Sequence, residues 1–281
     1  YAHLHNYVLH LANQGVTINE IHNLYKLPDS LRKHWAAHSY HGSEEHNSRA
    51  VINRYLGYWD ANPANLIPLS PRESAPLYVE MMGGANKIMA KAQQLHDQGK
   101  YREAVEILNK LVYAEPDNQA AKDLLADVYE QLGYQQESPS LRNSFLAAAI
   151  ELRNGMPAGA PPKSIGPGMI QAMSTELWLN ALAISMDPEK VEGMQYVINL
   201  VTPDNHERFV VEASNGALSN IKGHQAKEPD LTITVSRADL ETVMGAQATW
   251  DDLIKAGKAK LEGDRRGFDR LRAAVVAFTP D

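Results

Sequence analysis

Residues 92–116 read AQQLHDQGKYREAVEILNKLVYAEP. On both sides of Gly99, apolar side chains recur every three or four residues, as they do on the buried face of an amphipathic helix. Gly99 separates the two apolar runs, and Pro116 follows the second run at a position where it would end a helix. The stretch therefore predicts two antiparallel helices joined by a tight bend.

The small and aromatic residues of this hairpin have the spacing of a tetratricopeptide repeat. Gly99, Tyr101, Ala104 and Pro116 fall on that pattern, and the interval from Gly99 to Gly133 equals the repeat period of about 34 residues. The pattern does not recur after Gly133. We therefore expect one hairpin and a third helix, not a solenoid.

Helical periodicity continues on both sides of the hairpin. It covers residues 1–13, 47–59, 71–82 and 138–154, and breakers such as Gly83-Gly84 separate the segments. This pattern predicts an all-α domain over residues 1–155. Residues 156–168 are rich in Pro, Gly and Ala, which is typical of a linker.

The pattern changes over residues 169–281. One amphipathic helix, Met169 to Met186, precedes three alternating runs that predict strands. Asn215-Gly216 is a strong hairpin-turn signal, so residues 207–214 and 217–222 should pair antiparallel. Short helices, a last edge strand at 258–263 and a final helix at 267–278 complete an expected α+β domain.

Composition excludes several classes of function. A net charge of -7 is unfavourable for a surface that tracks phosphates, so nucleic acid is not an expected partner. Without cysteine there is neither a disulfide nor a thiolate site. No apolar run approaches the roughly 20 residues of a membrane span. Because the chain begins inside an apparent helix without Met, we expect further sequence before Tyr1.

Histidine is concentrated at the start of the chain, which suggests a metal site. The histidines are spread over three helical segments and lack a His-x-His-x-Asp-His run, so we interpret them as structural or solvated and expect no metal site here. Eight of the eleven lie in the first 46 residues: His3, His5, His10, His22, His34, His38, His41 and His46.

The segment 40–47, YHGSEEHN, joins a turn to a helix N-terminus, where backbone N–H groups favour an anion. His46 would there donate to a bound sulfate or phosphate. The alternative, which the residues alone favour, is that Ser43 only caps the helix. A stripe of Met169, Met173, Leu177, Trp178 and Leu182 predicts helix-on-sheet packing, which is the commoner case, or a hydrophobic pocket lined above all by the first four.

Five segments together resemble the back half of the alkylsulfatases of the metallo-β-lactamase superfamily, zinc enzymes that release sulfate from alkyl sulfates such as dodecyl sulfate. The resemblance runs the whole length of the chain. The segments are LANQG at 11–15, YHGSEEHN at 40–47, RYLGYWDANPANL at 54–66, YVEMMGG at 78–84 and TWDDL at 249–253.

The resemblance implies a helical dimerisation domain, hence a homodimer, over residues 1–155 and a sterol-carrier-protein-like domain over 169–281 that holds the alkyl chain. A binuclear zinc site would belong to a metallo-β-lactamase domain before Tyr1. It also implies that Gly42, His46 and Asn47 belong to the wall of the active-site cleft, with His46 facing the substrate sulfate and Ser43 and Asn47 as further substrate-binding residues. Ser43 stands where Thr is expected, and His41 stands where an aromatic residue is usual. By resemblance, the compartment is periplasmic or secreted.

Three functions follow as hypotheses. The first is the accessory portion of an alkylsulfatase, inactive alone. The second is a carrier of lipids or surfactants without catalysis. The third, least favoured because one repeat and a half offers little concave surface, is a helical adaptor for a peptide.

Overall fold

The computed structural model describes residues 1–156 and 166–276. Contacts divide the chain into two units, Tyr1–Ala158 and Gly159–Asp281. Most of the predicted linker at 156–168 lies outside the described residues. Within these two ranges, no helix is long and apolar enough to cross a bilayer.

The regular elements described in the first unit are all helices. Short 3-10 turns at Trp35–Ala37 and Pro63–Asn65 lie between its helices. The helices are α1 (Ala2–Asn13), α2 (Ile21–Leu24), α3 (Asp29–Arg32), α4 (Glu44–Leu56), α5 (Pro71–Met81), α6 (Ala85–Asp97), α7 (Tyr101–Ala114), α8 (Gln119–Tyr134) and α9 (Pro139–Asn154).

The predicted hairpin is α6 and α7. Gly99 lies in the bend with a φ of 72°, a left-handed conformation that costs glycine little. Ala92, Ala104 and Leu108 are completely buried between the helices, where small side chains allow close approach. Helix α8 packs on α7, and α9 packs on α8. The all-α prediction for this part of the chain is confirmed.

A smaller apolar cluster lies at the start of the chain. Val8 of α1, Ile21 and Tyr25 at α2, and Ile52 of α4 form its buried centre. The predicted helix at 47–59 is observed as α4, which begins earlier, at Glu44, and ends before Gly57. Its predicted apolar face is buried only in part, because Tyr55, like its neighbour Leu56, is more than half exposed.

The second unit contains one mixed sheet of five strands in the order β3-β2-β1-β4-β5. β1 and β4 are parallel, and the other neighbouring pairs are antiparallel. The elements are α10 (Pro167–Ala172), α11 (Thr175–Ser185), β1 (Gln195–Thr202), β2 (Glu207–Ser214), β3 (Ala217–Lys222), β4 (Leu231–Val235), α12 (Arg237–Met244), α13 (Trp250–Lys255), β5 (Ala259–Gly263) and α14 (Arg265–Ala274).

The predicted β-hairpin is observed with its predicted strand limits. Ser214 pairs with Ala217 across Asn215 and Gly216, which have φ values of 52° and 71°. Two consecutive positive φ values match the twist of the flanking strands, as in a type I′ turn. The α+β prediction for this unit is confirmed.

One face of the sheet is buried. Alternate residues of the three central strands point to this face, and helical residues such as Leu179, Leu240 and Phe268 share the cluster. The strand residues are Tyr196, Ile198, Leu200, Phe209, Val211, Ala213, Leu231, Ile233 and Val235. This cluster surrounds an apolar pocket between the sheet and the helices.

The prediction of one continuous helix from Met169 to Met186 is wrong. Helix α10 ends at Ala172, and Met173 has an extended conformation with a ψ of 127°. Ser174 then caps a new helix, because its Oγ accepts a hydrogen bond from the Leu177 amide at 3.1 Å. The local cap breaks an apolar stripe that is continuous in the sequence.

Candidate functional site

The segment 40–47 forms the turn that leads into α4. The Ser43 side chain is buried, and its Oγ accepts a hydrogen bond from the His46 backbone N–H at 3.3 Å. The interpretation of Ser43 as an N-cap is therefore confirmed. Gly42 lies against Asn47, since a Cβ on Gly42 would lie 3.1 Å from Asn47 Oδ1.

A cleft of about 500 Å³ opens beside this turn. Gly42, Ser43, Glu44 and Asn47 contribute to its wall. His46 is not among the lining residues, and it lies exposed on α4. The structure thus brings Ser43 and Asn47 together at one cleft and leaves His46 outside it.

Contacts from the turn between α8 and α9 hold the segment in place. His38 Nδ1 and Glu137 Oε1 are 2.9 Å apart, and His38 Nε2 lies 3.1 Å from the Arg32 carbonyl oxygen. Ser138 Oγ donates to the His41 carbonyl at 3.0 Å. The turn between α8 and α9 therefore supports the segment that carries Gly42 and Ser43.

Two groups in the cleft wall have unusual environments. The pKa of Glu44 is raised, first by burial and then by the neighbouring Glu45 carboxylate. The buried Nε2 of His3 has no hydrogen-bond partner among the residues described. The cleft thus combines a half-buried carboxyl with an unsatisfied imidazole nitrogen, and both are suited to polar contacts.

The described residues do not provide a metal centre. Across 1–156 and 166–276, no three His, Asp or Glu side chains converge closely enough to hold an ion. Several of the early histidines instead bond to neighbouring side chains: His5 with Tyr55 at 3.0 Å, His10 with Gln14 at 3.1 Å and His22 with Arg49 at 3.3 Å. These contacts are structural.

The second candidate site is an apolar pocket of about 350 Å³ in the C-terminal unit. It lies between the buried face of the sheet and helices α11, α12, α13 and α14. Its lining residues are Trp178, Leu179, Leu182, Ile198, Leu200, Val211, Leu218, Ile233, Val243, Met244, Trp250, Phe268, Leu271, Arg272 and Val275. A pocket of this size and polarity is suited to an alkyl chain.

Of the four predicted pocket residues, Trp178 lines this pocket. Met169, Met173 and Leu177 do not, and Met169 and Leu177 are more than half exposed. The physical reason is the break at Ser174: α10 and α11 are separate helices, so a stripe drawn through both does not share one face. Within α11 the pocket side carries Leu182, which also belonged to the predicted stripe, and Leu179 beside Trp178.

Among the described residues of the lining, Arg272 is the one that carries a charge, and the sequence analysis did not predict it. Its Nη2 lies 3.1 Å from Asp251 Oδ2, its Nη1 lies 3.3 Å from Asp269 Oδ1, and its guanidinium lies 5.6 Å from the centre of the Phe268 ring. Arg272 first and Arg265 also hold the pKa of Asp251 below its usual range. A sequence signal existed, since Phe268, Leu271 and Arg272 share one side of the predicted last helix.

Two family profiles match the chain. Alkyl sulfatase dimerisation matches residues 17–155, and Alkyl sulfatase C-terminal matches residues 163–281. Among curated relatives, a linear primary-alkylsulfatase of Pseudomonas sp. is 39% identical over 99% of this chain and 41% of its own length. An (R)-specific secondary-alkylsulfatase of Pseudomonas sp. is 36% identical over 100% of this chain and 42% of its own length.

A solved alkylsulfatase structure gives the same relationship. A stereoselective inverting sec-alkylsulfatase of Pseudomonas sp. matches with a TM-score of 0.91 and 36% identity, over 100% of this chain and 44% of that chain. A sterol carrier protein 2 like 2 of Aedes aegypti matches with a TM-score of 0.26 and 27% identity, over 34% of this chain and 83% of that chain.

The chain thus spans less than half the length of these alkylsulfatases, while almost all of it aligns with them. One family domain falls on each of the two structural units. This chain belongs to the alkylsulfatase family, of which it carries the dimerisation domain and the C-terminal domain.

Proposed function

We propose that this chain is the accessory portion of a zinc-dependent alkylsulfatase that hydrolyses alkyl sulfate esters such as dodecyl sulfate to alcohol and sulfate. In this proposal the helical unit forms a homodimer and the C-terminal unit binds the alkyl chain. The apolar pocket of about 350 Å³ carries the proposal, because it sits in a domain of an alkylsulfatase and suits an alkyl chain.

Zinc would be bound outside this chain. The described residues offer no converging group of ligands, so they do not fit a binuclear site, and no catalytic step is assigned to them. We assign the zinc ligands to a metallo-β-lactamase domain that precedes Tyr1 in the complete protein. The chain's own contribution would be to assemble, to orient and to hold substrate.

The turn at 40–47 would contribute one wall of the active-site cleft of the complete enzyme, on the side where His46 is exposed. The Ser43 hydroxyl already accepts the cap hydrogen bond, so the role of Ser43 would be to fix the turn. Asn47, which lies against Gly42, would help to fix it. His46 is exposed on the first turn of α4, where it would approach the sulfate group of a substrate held by the zinc-binding domain. This role for His46 rests on the resemblance of the segment.

An activity measurement tests the proposal. The isolated chain, supplied with zinc and dodecyl sulfate, should release no sulfate, whereas the protein encoded by the complete reading frame should release it. Within that complete protein, His46→Gln should lower kcat/KM without changing the thermal melting of the chain. Sulfate release by the isolated chain would show that the metal site had been placed in the wrong part of the protein.

The carrier without catalysis is the second candidate, and the same pocket supports it. The two candidates differ in what precedes Tyr1. A His-x-His-x-Asp-His motif in the upstream reading frame would select the alkylsulfatase, whereas a frame without it would select the carrier.

The homodimer needs an apolar surface on the helical unit. From the last turn of α4 to the end of α5, the chain carries a run of exposed large apolar side chains, which we call the 55–81 surface. Exposed apolar surface at this density is typical of an interface. Its members are Tyr55, Leu56, Tyr58, Trp59, Leu66, Ile67, Leu69, Leu77, Tyr78 and Met81. We propose that this surface pairs with a second copy of the chain.

A further inference from the structure

The apolar pocket has a single charged group in its described lining, the Arg272 guanidinium. In an otherwise apolar pocket, such a group decides which head group an amphiphile can carry, because a charge that leaves water must find a partner. An uncompensated arginine would favour an anion such as a sulfate or a carboxylate. Whether the Arg272 guanidinium can bind a ligand depends on the partners that it already has.

The structure shows that Arg272 is already paired. Asp251 contacts both of its terminal nitrogens, at 3.1 and 3.5 Å, and Asp269 adds a contact at 3.3 Å. Arg265 contacts the same two carboxylates, at 2.7 Å to Asp251 and 3.7 Å to Asp269. Two arginines and two aspartates thus form a cluster whose formal charges cancel.

A cluster without net charge interacts differently with an anionic head group and with a hydroxyl group. An anionic head group would have to displace a carboxylate from Arg272 and then lie beside that displaced negative charge. A hydroxyl group needs no such exchange: its oxygen accepts from a guanidinium N–H, and its proton is donated to a carboxylate. The cluster therefore disfavours sulfate and accommodates an alcohol.

Resting on the proposed function of the C-terminal unit, we infer that this pocket selects an uncharged long-chain alcohol over the alkyl sulfate anion. The alcohol is the product of the proposed hydrolysis. The pocket would then receive the alkyl chain after the sulfate has left, and it would keep the released alcohol out of water. The alkyl chain of the alcohol would pack against Trp178 and Trp250, and the alcohol hydroxyl would lie at Arg272.

Binding of matched probes to the complete 281-residue chain tests this inference. The probes are 1-decanol, decyl sulfate below its micelle concentration, and decyltrimethylammonium. In a Trp35→Phe/Trp59→Phe variant the remaining tryptophans, Trp178 and Trp250, both line the pocket, so their fluorescence reports its occupation. Calorimetry on the unaltered chain provides a second readout.

We expect saturable binding of decanol that is tighter than the binding of either ion. Decyl sulfate or the ammonium probe binding as tightly as decanol would overturn the inference and leave the alkyl-chain function intact. If none of the three probes saturates, the proposed binding function of this unit is itself wrong. The two failures are therefore distinguishable.

A charge variant separates head-group selection from simple hydrophobicity. Asp269→Asn leaves the cluster with one net positive charge and should tighten decyl sulfate binding about two- to fivefold, as expected for one exposed ion pair, while decanol is unchanged. Glu262→Gln on β5 makes the same change of charge outside the cluster and should leave both affinities unchanged. If Asp269→Asn has no effect on decyl sulfate, the cluster does not set the preference.

Discussion

His38 contacts acceptors with both of its ring nitrogens. One lies near the Glu137 carboxylate and the other near the Arg32 carbonyl, and both nitrogens can donate only when the ring is protonated. The hydrogen bond to Glu137 is the main cause of the raised pKa of His38, and the charge of Glu137 adds to it. This single residue therefore ties the turn before α4 to the α8–α9 bundle.

The pH dependence of this contact has a definite sign. Because the pKa of His38 is raised on folding, the contact contributes its full stability below about pH 6.5, the ordinary histidine pKa, and loses it as pH rises through the folded-state pKa. Glu137→Gln should lower the His38 pKa toward its ordinary value. A titration of the histidine ring signals by NMR measures this, with Glu151→Gln on the exposed side of α9 as the control. An unchanged His38 pKa in Glu137→Gln would contradict the pairing.

Gly267 is a second residue whose identity the packing requires. A Cβ at this position would overlap the ring of Tyr196, whose hydroxyl donates to the Asp264 carbonyl. Burial of this tyrosine raises its pKa to about 12, so the hydroxyl stays protonated and keeps donating throughout the neutral range. Helix α14 can thus approach β1 this closely only because Gly267 has no side chain.

We expect Gly267→Ala to destabilise the C-terminal unit by about 1–3 kcal/mol, the usual cost of overpacking. Gly168→Ala is the matched control, because Gly168 is also helical and has open space around its Cα. Thermal or urea unfolding of both variants measures the difference. Equal stability of the two variants would show that α14 can shift away from Tyr196 at little cost.

At the level of elements, the helical hairpin is fixed by small residues. Ala104 is completely buried in α7, where α6 and α8 pack against the same helix. We expect Ala104→Leu to lower the free energy of unfolding by about 1–3 kcal/mol, because three added carbon atoms would have to force the helices apart. Ala90→Leu on the exposed side of α6 adds the same atoms and should have little effect, as denaturant unfolding would show.

The elements that could be predicted from sequence are those with local causes. Asn215-Gly216 predicted the β2–β3 hairpin because the turn type is set by two residues, and Gly99 with Ala104 predicted the α6–α7 hairpin for a similar reason. The break at Ser174 was missed, because a single cap hydrogen bond outweighed a continuous apolar stripe. Periodicity reports which residues are apolar, but not where one helix ends and the next begins.

The candidate sites divide in the same way. Ser43 was predicted as a cap from its position before α4, which is again a local feature. The pocket lining was missed in large part, since Trp178 and Arg272 are far apart in sequence and line the same pocket only when α11 and α14 cover the sheet. No local sequence pattern indicates which distant elements will line one pocket, although the apolar side of the last helix was visible in the sequence.

At the scale of the whole molecule, the 55–81 surface is the feature that a single copy of the chain does not account for. Ile67 is 94% exposed and Met81 is 84% exposed, although both are large and apolar. Burying one such side chain, compared with leaving it in water, would contribute about 1.5–3 kcal/mol of stabilisation. Since one of the matched family domains is a dimerisation domain, a second copy is the natural occupant of this surface.

Ile67→Asp should therefore shift the chain from dimer to monomer in sedimentation at micromolar concentration. Ile67 lies outside any helix and is almost fully exposed, so an aspartate there places a charge in the proposed interface without disturbing the fold of the free chain. Ile150→Asp is the control, because Ile150 is also exposed but lies on α9, away from this surface. If both variants stay dimeric while the circular dichroism of each is unchanged, the dimer is built on another face of the helical unit. A wild-type chain that sediments only as a monomer at micromolar concentration would count against the proposed homodimer.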